Sequence, residues 1–140
     1  MTRGATPAQP NVEAGCGNSP VVVSVVLPTF NGSRYLAESI QSVIDQTFED
    51  WELIIVDDCS TDETPQIIER FVQQDPRIRS IRHETNRKLP AALNTGFADA
   101  RGEYFTWTSD DNSYRAQAVV TMVDFLEQRS EVDAVYANAT

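Results

Sequence analysis

Two pairs of adjacent acidic side chains follow apolar stretches of this chain, and carboxylates in that position can do chemistry. Asp57 and Asp58 form the first pair, and Asp110 and Asp111 form the second. Adjacent carboxylates repel each other and are costly to bury without a partner. In α/β proteins, ligands bind at the carboxyl ends of the strands. The two pairs therefore predict a site for a metal together with an anionic or hydrogen-bonding ligand.

The second pair has the chemistry of a metal site. Carboxylate oxygens suit a hard divalent cation such as Mg²⁺ or Mn²⁺. The pair Asp110 and Asp111 supplies few ligands, which leaves coordination positions for phosphate oxygens of a substrate. A metal that binds and polarises a diphosphate is expected in such a site. For both pairs the alternative is a capped turn, where Asp, Ser and Thr are common.

Basic, histidine and tryptophan side chains lie between the acidic pairs. Lys88 precedes a predicted helix, whose amino terminus favours an anion, so its amides and Lys88 predict a diphosphate-binding group. Arg87 is interpreted as a solvated loop charge. His83, the single histidine, is interpreted as an ordinary surface residue. Trp51 and Trp107 are interpreted as core or pocket wall.

Size and charge exclude several classes of protein. The 140 residues suffice for one compact domain. A net charge of -10 argues against nucleic-acid or anionic-membrane partners. Two cysteines and one histidine cannot form a zinc site of the usual spacing, and reduced thiols are expected. No stretch approaches the ~18 apolar residues of a membrane span. We expect a cytoplasmic protein, or one at the inner face of the membrane.

The pattern of apolar residues predicts an α/β domain. Residues 1–20, rich in Pro and Gly, are predicted to be a disordered leader, and residues 21–140 to be the folded part. Strands and helices then alternate, which implies a mainly parallel sheet with helices on both faces. The predicted strands are Val21–Leu27, Trp51–Val56, Arg77–His83 (an edge strand), Tyr104–Thr108 and Val132–Tyr136. The predicted helices are Arg34–Gln46 with Ser33 as N-cap, a helix from Thr61 or Asp62 to Gln74, Leu89–Ala100 closed by Gly102, and Ala116–Arg129.

Five segments of the sequence form a recognisable series: Val23–Asn31, Gln46–Asp58, Ser60–Thr64, Ala100–Tyr104 and Ser109–Asn112. In this order and at this spacing they resemble the family 2 glycosyltransferases. The stretch Gly102–Tyr114 is especially similar to the spore-coat polysaccharide branch of that family. Patterns of a dinucleotide-binding Rossmann site and of a P-loop are absent from the sequence.

The resemblance implies a GT-A (Rossmann-like) fold and a metal-dependent inverting glycosyltransferase of cell-envelope polysaccharide synthesis. The sugar would pass from a UDP- or dTDP-sugar to a saccharide or other hydroxyl acceptor, with Mn²⁺ or Mg²⁺ as cofactor. Asp58 would accept from the base imide, Asp110 would contact the ribose, and Lys88 with Arg87 would lie near the diphosphate. The donor-binding residues implied by position are Pro28, Thr29, Asn31, Asp57, Asp58, Lys88 and Asp110, and the metal ligand is Asp111.

This sequence departs from the family pattern in two places. Ser109 stands where many members carry the first Asp of the Asp-x-Asp motif, and Cys59 replaces a frequent glycine. The resemblance also implies that the general base and the acceptor site lie beyond residue 140. We therefore expect a truncated chain that binds the nucleotide-sugar weakly with metal and does not turn it over.

Two other functions remain open at this stage. The first is a noncatalytic nucleotide-binding domain of the same fold. The second is a phosphoacceptor receiver, because Ile54–Asp58 also resembles that module. A receiver needs a Lys after its last strand, and this chain has none after Lys88.

Overall fold

The computed structural model describes residues 2–3, 21–110 and 117–128. The strands are β1 (Thr2–Arg3), β2 (Val23–Thr29), β3 (Trp51–Asp57), β4 (Ile78–Arg82) and β5 (Tyr104–Trp107). The helices are α1 (Leu36–Ile44), α2 (Thr64–Gln74), α3 (Lys88–Ala98) and α4 (Ala118–Gln128). No helix in these ranges is long and apolar enough to cross a bilayer.

The strands form one mainly parallel sheet in the order β1-β5-β2-β3-β4. β5, β2, β3 and β4 run parallel, while β1 pairs antiparallel with β5. In this register Thr29 lies beside Asp57, and Asp57 lies beside Arg82. The carboxyl ends of β2, β3 and β4 therefore meet at one edge of the sheet. The predicted parallel sheet is confirmed, as is the edge position of β4.

Apolar side chains cover both faces of the two central strands. All seven residues of β2 and all seven of β3 are buried, as expected for strands that are packed between helices. Helices α1, α2 and α4 cover one face, and α3 covers the other with Ala92 against Val26 and Ile54. At Gly96 a Cβ would collide with the Val26 side chain, so α3 lies close on β2.

The chain termini are only partly described. Within the segment predicted to be a disordered leader, Thr2 and Arg3 pair with Phe105 and Tyr104 of β5, so the prediction is wrong for these two residues. Residues 4–20 lie outside the described residues. The predicted strand Val132–Tyr136 also lies outside them.

The predicted start of the first helix is wrong. Ser33 does not cap it: α1 begins at Leu36 with Tyr35 as N-cap. The Ser33 amide instead donates to Asp62 Oδ2 at 3.3 Å. A turn closed by the Leu36 amide and the Gly32 carbonyl precedes the helix. The loop after β2 is thus tied to the loop after β3 before α1 starts.

The ends of α2 and α3 also differ from their predictions. α2 begins at Thr64, whose amide donates to Asp62 Oδ1 at 2.9 Å, so Asp62 does satisfy a donor of the first turn. α3 ends at Ala98, before Gly102. The Gly102 amide donates to Ser24 Oγ at 2.7 Å and so serves the sheet rather than the helix end.

Candidate functional site

Polar side chains from three strand ends meet at the carboxyl edge of the sheet. Thr29 ends β2, Asp57 ends β3, Asp58 follows it, and Asp110 follows β5. Thr29 Oγ1 donates to Asp110 Oδ2 at 2.7 Å, and the Asp58 amide donates to the Thr29 carbonyl at 2.9 Å. The expectation that the acidic segments converge therefore holds for Asp110. Asp111 lies outside the described residues.

The Asp58 side chain accepts three hydrogen bonds from described residues at this edge. Its Oδ1 accepts from the His83 ring Nδ1 at 2.7 Å and from the Arg87 amide at 2.8 Å. Its Oδ2 accepts from the Lys88 amide at 2.8 Å. Burial of the carboxyl opposes ionisation, but the Arg87 amide, the His83 ring and the Lys88 amide together hold the pKa of Asp58 below its usual range. Asp58 is thus a buried anion at neutral pH.

A pocket of about 250 Å³ opens beside this carboxylate. Two of its walls are apolar side chains that remain about half exposed, Phe30 at 47% and Leu89 at 49%. The lining residues are Pro28, Thr29, Phe30, Asp58, Asn86, Lys88, Leu89 and Ala92. Apolar walls with a few fixed polar groups are typical of sites for planar organic ligands. Pro28, Thr29, Asp58 and Lys88 of the predicted donor residues therefore lie together.

Asp57 differs from Asp58 although the two are adjacent. Arg82 Nη1 donates to Asp57 Oδ2 at 2.6 Å, and the Ser60 amide donates to Oδ1 at 2.9 Å. The side chain is buried, and it does not line the pocket. Asp57 therefore holds the loop that follows β3 against β4. Its contacts within the chain are those of a structural residue.

Asn31 links the same loop to the one after β2. Its backbone is left-handed, with φ of 52°, a conformation that Asn tolerates better than most residues. Its Oδ1 accepts from the amides of Thr61 at 2.8 Å and Asp62 at 3.3 Å. Its own amide donates to Ser60 Oγ at 2.8 Å. Asn31 thus fixes the spacing of the two loops that border the pocket.

Cys59 takes the conformation that a glycine would take. Its φ is 72°, in the left-handed region. The thiol lies 3.5 Å from the Glu84 carbonyl. The replacement of the family's frequent glycine therefore leaves a left-handed turn after Asp58.

An acidic side chain of the protein itself binds the amino terminus of α3. The amides of Arg87 and Lys88 both donate to Asp58. The prediction that amides at this terminus bind a diphosphate is wrong for these two, because Asp58 already occupies them. The anion that the helix dipole favours is the Asp58 carboxylate. The Lys88 side chain remains a lining group of the pocket.

His83 is not a surface residue, and its interpretation as one is wrong. It is 5% exposed, and its ring Nε2 lies 2.8 Å from Thr95 Oγ1 on α3. Its position directly after β4 is the one sequence signal that could have placed it at the site edge. Trp51 is a core residue as predicted, whereas Trp107 is 45% exposed and does not line the pocket.

Gly32 leaves the space that the Asp110 carboxylate fills. A Cβ at Gly32 would overlap the Asp110 carboxylate and would lie 2.7 Å from Thr29 Oγ1. Among residues 21–110 and 117–128, no cluster of three His, Cys, Asp or Glu side chains forms a ready-made metal site. The carboxylate oxygens of Asp110, held beside Thr29, are nevertheless of the ligand type that Mg²⁺ and Mn²⁺ prefer.

The model of the family described as Glycosyl transferase family 2 matches residues 24–139. The chain belongs to this family. The match confirms the resemblance inferred from the sequence segments. It also removes the receiver domain as an alternative.

Glycosyltransferases from two bacteria are similar to the chain in sequence. TuaG of Bacillus subtilis, named as a teichuronic acid biosynthesis glycosyltransferase, is 34% identical over 109 residues, which are 78% of this chain and 43% of TuaG. GlyG of Streptococcus pneumoniae is 32% identical over 117 residues, which are 84% of this chain and 38% of GlyG. The chain thus spans about two fifths of the length of these relatives.

Two solved structures share the fold of this chain. Staphylococcus aureus TarS 1-349 in complex with UDP-GlcNAc superimposes with a TM-score of 0.74 at 28% identity, covering 79% of this chain and 32% of that one. The mannosyltransferase PcManGT of Pyrobaculum calidifontis, in complex with GDP-Man and Mn²⁺, gives 0.69 at 25% identity, covering 81% and 36%. The α/β sheet described above is therefore of the GT-A type.

Proposed function

We propose that this chain forms the donor site of an inverting glycosyltransferase that uses a UDP- or dTDP-sugar. The observation that carries the proposal is the buried Asp58 carboxylate on the wall of the pocket. The structural relatives that bind UDP-GlcNAc and GDP-Man support a nucleotide-sugar ligand. The acceptor is a saccharide or another hydroxyl compound.

The hydrogen bonds of Asp58 favour a base with one N–H donor. A carboxylate offers about four acceptor positions on its two oxygens. The described residues occupy two on Oδ1 and one on Oδ2. The fourth position, on Oδ2, suits the single imide N–H of uracil or thymine. Guanine presents two neighbouring donors, which match two open acceptor positions better than one.

The other pocket groups fit the rest of a nucleoside diphosphate. Pro28, Phe30 and Leu89 supply apolar walls for the flat base. Lys88 supplies a positive charge for the diphosphate. Asp110, held by Thr29 Oγ1, supplies a carboxylate for a ribose hydroxyl. Asp57 and Asn31 act indirectly in this proposal, by fixing the loops that carry these groups.

A divalent cation fits the oxygen-rich end of the site. Asp111 would be its protein ligand, beside Asp110, and Mn²⁺ or Mg²⁺ would neutralise charge on the diphosphate. The positive charge of Lys88 stabilises the departing diphosphate more than it stabilises the intact sugar-nucleotide.

The reaction is a single displacement at the anomeric carbon. The acceptor oxygen forms a bond to that carbon as the bond to the diphosphate oxygen breaks, and configuration inverts. The acceptor proton passes to a carboxylate base. That base is not assigned among the residues of this chain, and we expect the 140-residue chain to bind the donor without transferring its sugar.

Calorimetry tests the donor assignment. UDP, dTDP and GDP are titrated into the chain, each with and without Mn²⁺. We expect UDP and dTDP to bind more tightly than GDP, and Mn²⁺ to strengthen each of them. Equal affinity for the three nucleotides, with no effect of Mn²⁺, would contradict the proposal. Sugar transfer by the 140-residue chain alone would contradict the expectation of binding without turnover.

A further inference from the structure

His83 is fixed from three sides at the carboxyl edge of the sheet. Its amide donates to the Asp57 carbonyl at 2.9 Å, which ties it to β3. Its ring Nδ1 meets Asp58 Oδ1 at 2.7 Å, and its Nε2 meets Thr95 Oγ1 at 2.8 Å. The residue is buried. An imidazole with both nitrogens engaged has a fixed ring orientation.

The direction of these hydrogen bonds follows from the charge of Asp58. An ionised carboxylate only accepts, so His83 Nδ1 carries the proton that it donates. In the neutral imidazole Nε2 is then the acceptor, and the Thr95 hydroxyl donates to it. A chain of hydrogen bonds therefore runs from α3 through Thr95 and His83 to the pocket carboxylate.

Asp58 has three hydrogen-bond donors among the described residues. Two of them lie at the start of α3, and the third is His83. The Arg87 and Lys88 amides approach the two oxygens from neighbouring residues of one backbone segment. His83 approaches Oδ1 from the end of β4. With two donors on Oδ1, that oxygen is saturated, and the carboxylate presents Oδ2 to a ligand.

We propose that His83 is a positioning residue that sets the base selectivity of this pocket. It holds Asp58 so that one acceptor position, on Oδ2, faces the nucleotide base, and Thr95 holds His83 in place. The inference rests on the proposed donor site. It predicts that recognition of the imide N–H depends on a side chain that does not touch the base.

The test compares UDP with 3-N-methyl-UDP, in which a methyl group replaces the imide hydrogen. Calorimetry with Mn²⁺ is run on the 140-residue chain and its variants. For the wild-type chain we expect UDP to bind about 10- to 100-fold more tightly, because a hydrogen bond to a charged acceptor is lost in the methylated ligand. For His83→Leu we expect the ratio to fall to about threefold or less.

His83→Asn is the matched variant, because the Asn amide nitrogen can take the place of Nδ1 and donate to Asp58. We expect it to restore most of the wild-type ratio. Thr95→Val keeps the size of the side chain but removes the hydroxyl, and we expect a ratio about two- to threefold below wild type. If His83→Leu does not fold, the affinity ratios of Thr95→Val and His83→Asn are compared with that of the wild-type chain instead.

Inorganic diphosphate with Mn²⁺ serves as the control ligand, since it contacts no base group. A merely structural role of His83 would lower the affinity for diphosphate and UDP alike and leave the ratio of UDP to its methylated form unchanged. That result overturns the inference, as does equal loss of the ratio in His83→Asn and His83→Leu. A wild-type ratio near one excludes the imide contact, while failure of the wild-type chain to bind UDP overturns the proposed donor site itself.

Discussion

Two buried carboxylates stand at opposite ends of the β3 segment, and their partners differ. Glu52, near the amino end, is 2% exposed, and its Oε1 lies 2.6 Å from Arg79 Nη1. Asp58, just past the carboxyl end, is 4% exposed and accepts from two amides and an imidazole. Glu52 is neutralised by an ion pair within the chain, whereas Asp58 lines a pocket. Burial alone therefore does not mark a ligand site.

The Glu52 network holds the opposite edge of the sheet together. Its Oε2 accepts from Ser24 Oγ at 2.5 Å and from the Arg101 amide at 2.7 Å. Arg79 continues the network to Asp99, after α3. Strands β2, β3 and β4 and the connection from α3 to β5 are joined by one carboxylate. Removing one partner of a buried ion pair is costly, because the other charge is left uncompensated.

The largest expected effect comes from Glu52→Gln. Arg79 then keeps Asp99 but loses its buried carboxylate partner, and we expect the free energy of unfolding to fall by about 3 kcal/mol, measured by urea denaturation. Affinity of the folded protein for UDP should stay within about twofold of wild type. Glu127→Gln on the exposed side of α4 is the control and should leave both quantities unchanged. Weakened UDP binding without loss of stability would reverse the roles assigned to the two carboxylates.

At pH 7, Asp58→Asn should affect UDP binding strongly and the stability of the fold less than Glu52→Gln does. We expect UDP affinity to fall about 10- to 100-fold, because Asn removes the charged acceptor. The free energy of unfolding should fall by about 1 to 2 kcal/mol, because hydrogen bonds from the Arg87 and Lys88 amides are weakened. Calorimetry and urea denaturation measure the two effects. Unchanged UDP affinity would remove Asp58 from the donor site.

The stability of the Asp58→Asn variant should depend on pH differently from that of the wild-type chain. Folding lowers the pKa of Asp58, so its charged form contributes stability at pH values above the unfolded pKa of about 3.9. That contribution is lost as pH falls through the lower pKa of the folded state. We therefore expect the stability difference between the wild-type chain and Asp58→Asn to narrow from pH 7 towards pH 3. A difference that widens on acidification would contradict the hydrogen-bond assignment.

Gly32→Ala should have a smaller effect on UDP binding, through the position of Asp110. The new methyl group would overlap the Asp110 carboxylate, which must move away from Thr29 Oγ1. We expect about tenfold weaker binding of UDP both with and without Mn²⁺, because Asp110 is assigned to a ribose hydroxyl and Asp111 to the metal. Two calorimetric titrations, one with and one without Mn²⁺, measure the two losses. A loss confined to the titration with Mn²⁺ would show that Asp110 serves the metal rather than the ribose.

The sequence is sufficient to predict the architecture because the signals for it are local. Continuous apolar runs indicated the buried strands β2 and β3, and the acidic residues that follow β3 and β5 indicated the edge of the site. The different roles of Asp57 and Asp58 were not predictable, since Arg82 and His83, the side chains that contact them, lie 25 residues away in sequence. The dipole argument at Lys88 correctly required an anion. It could not identify that anion as Asp58, 30 residues earlier.

His83 shows the same limit more sharply. A single histidine after a strand has the local pattern of a surface residue. Its burial depends on α3, which brings Thr95 to the ring, and on the turn that brings Asp58. Both contacts arise from the packing of elements that are separate in sequence.

A nitrogen-15 NMR titration with UDP and Mg²⁺ tests the central claim most directly. The amides of Arg87 and Lys88 donate to Asp58, and those of Arg101 and Gly102 donate to the Glu52 network. We predict that UDP shifts the resonances of the first two amides and leaves the second two unchanged. Shifts confined to Arg101 and Gly102, or none at Arg87 and Lys88 at saturating UDP, would contradict a donor site at the carboxyl edge of the sheet.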